Sequence, residues 1–260
     1  MATKPRRSVL YIPGDNARAQ DKARSIAADA LILDLEDSVA PDNKLAARTR
    51  AIETIREGGF GTRESILRIN PIETPWGMAD LHAALAGEPD AILVPKVSQA
   101  GDILGTSKVI KAVGASDKIR LWAMIETPMG IINAREIAGC APDPDNRMSC
   151  LVLGTNDLLK ESRARASSNR FALVPWLAMT LVAARAYNLD VIDGVYNDFK
   201  DETGFRAEWE WPRTPQRKWI AFPLWLPAKV RLHVLVMHFR LFSQPRRVRF
   251  FCRFAWLSSC

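Results

Sequence analysis

Two acidic residues stand where chemistry is easiest to assemble: Glu126 in WAMIETPMG and Asp157 in LVLGTNDL, each just past a short apolar run that reads as a β-strand. In a parallel α/β barrel the strand ends and the loops after them form one face, so acids from two strands can converge on one cation. Two carboxylates and several waters suit Mg²⁺, which favours oxygen ligands and keeps part of its hydration shell. Thr127-Pro128 argues against Glu126 as a solvated helix residue, because proline disfavours helical backbone just before it. Asp157 has a plainer alternative, as a cap of the segment that follows.

Further polar groups fall at other strand ends: Pro13-Gly14-Asp15-Asn16, Asp34-Leu35-Glu36-Asp37, Arg68-Ile69-Asn70-Pro71 and Lys96. Gly14 lets a ligand approach the backbone closely, although Pro-Gly-Asp is also an ordinary turn. Asp34 and Glu36 alternate and so share a face, whereas Asp37 suits either a site or the cap of the next helix. The planar Arg68 fork matches a substrate carboxylate through two parallel hydrogen bonds, with a structural ion pair as the alternative.

These residues need elements to hold them. Apolar runs at Val9–Ile12, Ala30–Leu33, Ser65–Ile69, Ala91–Val94, Leu121–Ile125, Cys150–Leu153 and Asp190–Ile192 alternate with amphipathic or Ala-rich stretches. The latter are Asp15–Ala28, Pro41–Arg56, Trp76–Ala86, Ser98–Val113, Met129–Gly139 and Ser167–Tyr187. Seven strands with six intervening helical stretches predict a TIM (β/α)₈-type barrel, whose eighth strand belongs shortly after residue 208. Asp15 and Pro41 read as helix-opening residues.

The chain has 260 residues, 48% apolar and 25% charged, which is ordinary for a globular domain. The N-terminal apolar stretch is too short for a secretory signal, and four cysteines without C-x-x-C spacing read as reduced thiols, so a cytoplasmic location is expected. The net charge of +7 is misleading: residues 209–260 hold ten Lys or Arg and one acid, leaving −2 for residues 1–208. The same tail holds five of the eight Trp and none of the 14 Gly. The sequence therefore divides into a 1–208 barrel domain and an atypical basic, Trp-rich 209–260 tail, expected to be poorly ordered. Five prolines and scattered charges in that tail argue against a transmembrane helix, and neither nucleic acid nor membrane is expected as a partner. His233 and His238 are five apart, which fits no helical metal-ligand spacing, and His82 reads as a surface residue.

The segments RRSVLYIPGDN, ADALILDLEDSVAPDNKLAAR, ILRINPIETPWGMADL, DAILVPKV, WAMIETPMGIINAREIA, LVLGTNDL and VIDGVYNDFKD, in that order, resemble the HpcH/HpaI aldolase and citrate lyase β-subunit family over about residues 6–207. Within it the CoA-ester lyases are the most similar branch. The resemblance implies a Mg²⁺-dependent barrel enzyme that cleaves or forms a carbon–carbon bond in a citryl-, malyl- or citramalyl-CoA type substrate, giving acetyl-CoA and a keto acid. It also implies roles: Glu126 and Asp157 as metal ligands, Arg68 as the substrate-carboxylate arginine, and Glu36 and Asp37 as supports for metal-bound water. Pro13, Gly14, Arg7 and Lys96 resemble positions near the CoA or phosphate end of the substrate, and relatives of this kind form trimers or hexamers. A hydroxy-acid aldolase that does not use CoA is the nearer variant. A non-catalytic remnant that keeps its metal site is the other reading.

The remnant reading arises because family members continue, after a segment like YNDFKDETGFRAE, with a Gly-Phe-Asp-Gly-Lys strand and an Ile-His-Pro-like segment, and neither occurs here. The barrel is therefore expected to lack a normal eighth strand. We take the tail as the product of a shifted reading frame or a gene rearrangement, on its abrupt gain of Trp and Arg and loss of Gly. Sequencing the locus is expected to find a family-like continuation in another frame nearby; an intact gene without one refutes the shift.

Overall fold

In the computed structural model, residues 6–165, 170–198 and 200–205 are described in full, together with the backbone of 220–223, 233–234, 237–238, 251–252 and 255–256. Seven strands alternate with helices: β1 (Ser8–Pro13), β2 (Ala30–Asp34), β3 (Glu64–Arg68), β4 (Ala91–Val94), β5 (Arg120–Ile125), β6 (Met148–Leu153) and β7 (Asp190–Val195). Each pairs in parallel with the next. The helices are α1 (Ala17–Ala23), α2 (Lys44–Glu57), α3 (Gly77–Gly87), α4 (Ala100–Ala112), α5 (Pro128–Ile132), α6 (Ala134–Ala138), α7 (Thr155–Ser162) and α8 (Val174–Ala186).

The eighth position is filled from beyond residue 208. A four-residue segment, β8 (Ile220–Pro223), pairs in parallel with β1 and with β7, and so completes the ring. Its register against β7 shifts between Asp193 and Val195, and Pro223 has no N–H to give to a ladder. The eighth strand is thus short and irregular, as its missing family motif leads one to expect. The other expectations for residues 209–260, including those for His233 and His238, lie outside the fully described residues.

The period of two along each strand sorts side chains into two cores. Val9, Tyr11, Ala30, Ile32, Ile66, Ala91, Leu93, Trp122, Met124, Cys150, Val152 and Ile192 pack inside the barrel. The alternate residues, such as Leu31, Leu33, Leu67, Ile92, Leu121, Ala123, Ile125, Leu151 and Leu153, face the helices, α1 on one side and the remaining helices elsewhere. The inward register therefore runs on past the apolar layers to Asp34, Arg68, Glu126, Gly154 and Gly194 at the carboxyl ends, and back to Glu64 and Asp190 at the amino ends.

Strand expectations fall within a few residues of the observed bounds, but several helix expectations need correction: α1 stops at Ala23, short of Ala28, and α8 starts at Val174 where a helix from Ser167 was expected, residues 167–169 lying outside the described residues. Asp15 does not cap α1; Asn16 does, its side chain accepting from the Ala19 N–H. Pro41 opens a single 3₁₀ turn, Pro41–Asn43, that leads into α2. Met129–Gly139 is two short helices broken at Asn133. α7 was not anticipated at all, because its eight residues present too short an apolar period to stand out. Cys140 and Cys150 are free thiols, as expected.

The amino end of the barrel is closed by charge. Arg6 Nε and Nη2 donate to the two Glu64 oxygens at 2.7 and 2.8 Å, Nη1 donates to Asp190 Oδ2 at 3.0 Å, and the guanidinium lies 4.8 Å from the centre of the buried Trp122 ring. Removing Glu64 takes both of its hydrogen bonds from buried Arg6 and leaves it only Asp190, whose side chain is a third exposed. Glu64→Ala is expected to cost about 3 kcal/mol in denaturant unfolding, and a cost below about 1 kcal/mol, the range of an exposed pair, contradicts a structural role for this network.

Candidate metal and substrate site

At the carboxyl end of the barrel the continued inward register gathers charge. Asp34 and Arg68 are directly paired residues of β2 and β3, and their side chains join in a two-pronged ion pair, Nε to Oδ1 and Nη2 to Oδ2, both 2.6 Å. Asp34 is held in turn by the Glu36 and Ser38 backbone N–H groups at 2.8 and 3.2 Å. Arg68 thus uses one edge of its fork on a neighbour, which is the structural reading the sequence left open. Its Nη1 stands 2.8 Å from Glu36 Oε2 and 3.4 Å from Asp37 Oδ2, and the guanidinium lies 5.2 Å from the Tyr11 ring centre. The Glu36 contact is an ion pair off the N–H axis, since that oxygen has no hydrogen bond. Asp37 is largely exposed and does not cap the next helix, whose 3₁₀ lead-in begins after Ala40.

Glu126 follows β5 by one residue and is 1% exposed. Its Oε1 accepts from the Lys96 backbone N–H at 2.8 Å, while Oε2 is buried without a hydrogen-bond partner. Room for this carboxylate comes from Gly154, which occupies the matching inward position after β6; a Cβ there would collide with Glu126 Cβ and Oε2. Gly154 also starts α7, so the same residue makes space for one acid and places the other. Asp157 lies in the first turn of α7, where the helix dipole favours an acid, and its Oδ2 is 3.3 Å from Lys96 Nζ. Gly194, inward on β7, lets Thr155 of α7 pack against the strand with no Cβ between them.

Electrostatics follow from this crowding. Burial, joined by Glu36, pushes the Glu126 carboxyl up to about 8 against the pull of Arg68 and Lys96. Burial likewise pushes Glu36 up to about 7 against Arg68, with Asp37 and Asp34 adding to the rise. Burial opposes the charge of Asp34 too, but Arg68 outweighs it and holds Asp34 below the usual carboxylate range. Burial opposes the Lys96 ammonium, and Glu126, Asp157 and Glu36 together overcome it and raise its pKa.

Fully ionised, Asp34, Glu36, Asp37, Glu126 and Asp157 outnumber Arg68 and Lys96 by three charges. Of six buried side-chain polar atoms without partners among the described residues, Tyr11 Oη, Glu36 Oε2, Ser38 Oγ and Glu126 Oε2 belong to this end of the barrel. Such atoms are costly when left unpaired, which marks a surface shaped for a ligand. Among the described residues no group of three or more His, Cys, Asp or Glu side chains forms a metal site. Glu126 and Asp157, two oxygen donors in an electronegative pocket, fit a hard cation that supplies its remaining ligands as water, and not zinc.

The other sequence-selected residues divide. Pro13 and Gly14 end β1 at this face; the Gly14 N–H donates to the Asp34 carbonyl at 2.8 Å, and a Cβ would stand 2.7 Å from Leu35 Cδ2. Arg7 is not brought to the site, which corrects its expected place beside the substrate. It precedes β1, a six-residue strand about 20 Å long, and sits at the opposite end of the barrel, bonded to Asp29 by Nε and Nη2 at 2.8 and 2.7 Å. Asn70 is also structural, its side chain tying the β3 loop to Asp80 and to the Leu35 carbonyl. The sequence reading overlooked Gly154 and Tyr11, both of which the two-residue period from Val152 and Val9 marks as inward. A cavity of about 210 Å³ adjoins α7 and the end of β7, with Asn156, Arg165, Arg170 and Tyr196 in its wall.

The sequence model of the HpcH/HpaI aldolase/citrate lyase family matches residues 7–211. The (3S)-malyl-CoA thioesterase of Cereibacter sphaeroides (strain ATCC 17023) is 47% identical over 206 residues, 79% of this chain and 68% of that protein. The citrate lyase subunit beta of Escherichia coli K12 is 35% identical, with 79% and 68% covered. Among solved structures, the citrate lyase beta subunit of M. tuberculosis complexed with oxaloacetate and magnesium is 28% identical with a TM-score of 0.66, over 84% of this chain and 90% of that one.

The raised pKa values have a consequence for the metal-free protein. Carboxyls raised from an ordinary 4.5 to about 7 and about 8 favour the protonated fold, so their contribution is complete below 4.5 and is lost as pH climbs through those values. Between about pH 5 and pH 8 the Tm in chelator is expected to fall, by the equivalent of a few kcal/mol. Glu36→Gln/Glu126→Gln should flatten the profile, and a wild-type profile that is already flat contradicts the burial of these groups.

Proposed function

Because the chain belongs to the HpcH/HpaI aldolase/citrate lyase family, we propose that it is a Mg²⁺-dependent lyase acting on a 3-hydroxyacyl-CoA of the malyl-CoA type. The observation that carries this reading is the buried Glu126 Oε2, which has no hydrogen bond, at the end of the barrel where Lys96 contacts both Glu126 and Asp157. Glu126 and Asp157 hold the cation. Bound there, Mg²⁺ acts as a Lewis acid on the oxygen of the keto-acid fragment. Glu36 and Asp37, on the loop after β2, accept hydrogen bonds from its water ligands.

Arg68 binds the substrate carboxylate through Nη1, whose bonds to Asp37 Oδ2 and Met124 Sδ, at 3.4 and 3.7 Å, are long and exchangeable, since Asp34 occupies Nε and one proton of Nη2. Asp34 thereby serves as an orienting partner, fixing the plane of the fork before substrate arrives. Glu36, an off-axis neighbour of Nη1, would be drawn off it by the water ligands of a bound cation. Pro13 and Gly14 bring bare backbone to the rim where the substrate enters. In cleavage the substrate 3-hydroxyl gives up its proton as the carbon–carbon bond breaks, and the bonding pair leaves with acetyl-CoA as its enolate. A proton returns to that methylene carbon, so that malyl-CoA yields glyoxylate and acetyl-CoA; condensation is the reverse. The end of the family match at residue 211 supports a domain boundary near 208.

A second reading has a specific support, the 47% identity to a malyl-CoA thioesterase. Hydrolysis of the same ester would give malate and free CoA. One assay separates the two: purified chain, Mg²⁺ and malyl-CoA, with glyoxylate, acetyl-CoA and free thiol all quantified. We expect glyoxylate and acetyl-CoA in equal amounts, and loss of at least about 10²-fold in rate for Glu126→Gln. Free thiol without glyoxylate favours hydrolysis, and activity that survives Glu126→Gln overturns the metal assignment.

A further inference from the structure

Lys96 joins the two acids, although neither strand pattern singles it out for that. It follows β4 with a left-handed φ of 54°. That backbone turn aims its N–H at Glu126 Oε1, 2.8 Å away, while its side chain returns so that Nζ stands 3.3 Å from Asp157 Oδ2. One residue thus holds one acid by a main-chain dipole and the other by a full charge.

From this geometry we infer that Lys96 is a positioning residue whose ammonium is the resident counter-cation of Asp157, and that a divalent cation must displace it, so that Lys96 sets the affinity of the metal site. The inference rests on Glu126 and Asp157 as the Mg²⁺ ligands. A Mg²⁺ ion lies about 2.1 Å from a ligating oxygen, so an ammonium already 3.3 Å from Asp157 Oδ2 would be only a few ångströms from the metal. Two cations that close repel, and the pair is partly buried, with Lys96 36% and Asp157 21% exposed at the side chain. The ammonium has an exit, because a flexible four-carbon stem reaches water from there. The Glu126 contact does not depend on that exit, because it is made by the main chain. Glu126 is therefore in place before metal arrives, and Asp157 is released to it by exchange.

Lys96→Gly isolates the ammonium, since glycine keeps a positive φ freely and so preserves the N–H to Glu126. Metal-free wild type, K96G and K160Q are titrated with Mg²⁺ by calorimetry at fixed pH and salt. K160Q removes the same charge from the exposed last turn of α7 and sets the baseline for long-range field effects. K96G is expected to bind Mg²⁺ roughly five- to tenfold tighter than wild type, with K160Q within about twofold. Binding by K96G that is equal to or weaker than wild type, or no tighter than K160Q, overturns the inference while leaving the ligands standing. Absence of Mg²⁺ binding in all three chains overturns the ligand assignment and the inference together.

Discussion

Asp34 and Arg68 face each other across adjacent parallel strands, fully enclosed, with two charge-assisted hydrogen bonds of 2.6 Å between them. A guanidinium at this depth is stable only because a carboxylate is placed in register beside it. The pairing fixes where the loop after β2 begins, since Asp34 also accepts from the Glu36 and Ser38 N–H groups. Lys44 of α2 completes the arrangement by donating to the Leu35 and Glu36 carbonyls at 2.7 Å each. Glu36 is consequently buried beside Arg68, while Asp37 stands at the exposed edge of the same loop.

Once Arg68 is neutralised by Asp34, the four remaining acids at this end outnumber the cations beside them, Lys96 and, behind the β2 loop, Lys44. Burial makes that imbalance expensive for Glu36 and Glu126, which is why both carboxyls are pushed upward. The metal-free barrel is therefore strained in charge rather than in backbone, and a small doubly charged cation relieves more of that strain than any single ammonium. The two ends of the barrel contrast in this respect. At the amino end the charged groups Arg6, Glu64 and Asp190 satisfy one another, whereas at the carboxyl end two carboxylate oxygens, Glu36 Oε2 and Glu126 Oε2, are buried without a hydrogen bond. The first arrangement suits stability and the second suits binding, as expected for the two faces of such a barrel.

Glycine placement shows how tightly the acidic end is built. Gly154 and Gly194 occupy inward positions on neighbouring strands, and each stands where a Cβ would strike a functional element, Glu126 in one case and Thr155 of α7 in the other. The positions of Glu126 and Asp157 are thus both conditioned by what β6 and β7 omit. Missing side chains, not added ones, make the space for Glu126 and for the first turn of α7.

Much of this was legible along the chain. The alternation of apolar runs with Ala-rich segments predicts seven strands and most of the helices, because burial on both faces of a parallel sheet demands it. The position of Glu126 and Arg68 at strand ends follows from Ile125 and from Asn70-Pro71, and the ordered motifs carry the family resemblance. Distance across the barrel was not legible. Nothing in RRSVLYIPGDN separates Arg7, at one end of β1, from Gly14, at the other, until parallel strands are set side by side. Nor does local sequence show that the Arg68 fork meets Asp34, that Lys96 takes a left-handed turn, or that α7 begins at once after Gly154. The sequence by itself determined the barrel class, the family and the acidic residue types, since these depend on period and composition within short windows. Tertiary structure alone decided which charges touch, because the contacts that pair Arg68 with Asp34 and Lys96 with Glu126 and Asp157 span 34, 30 and 61 residues.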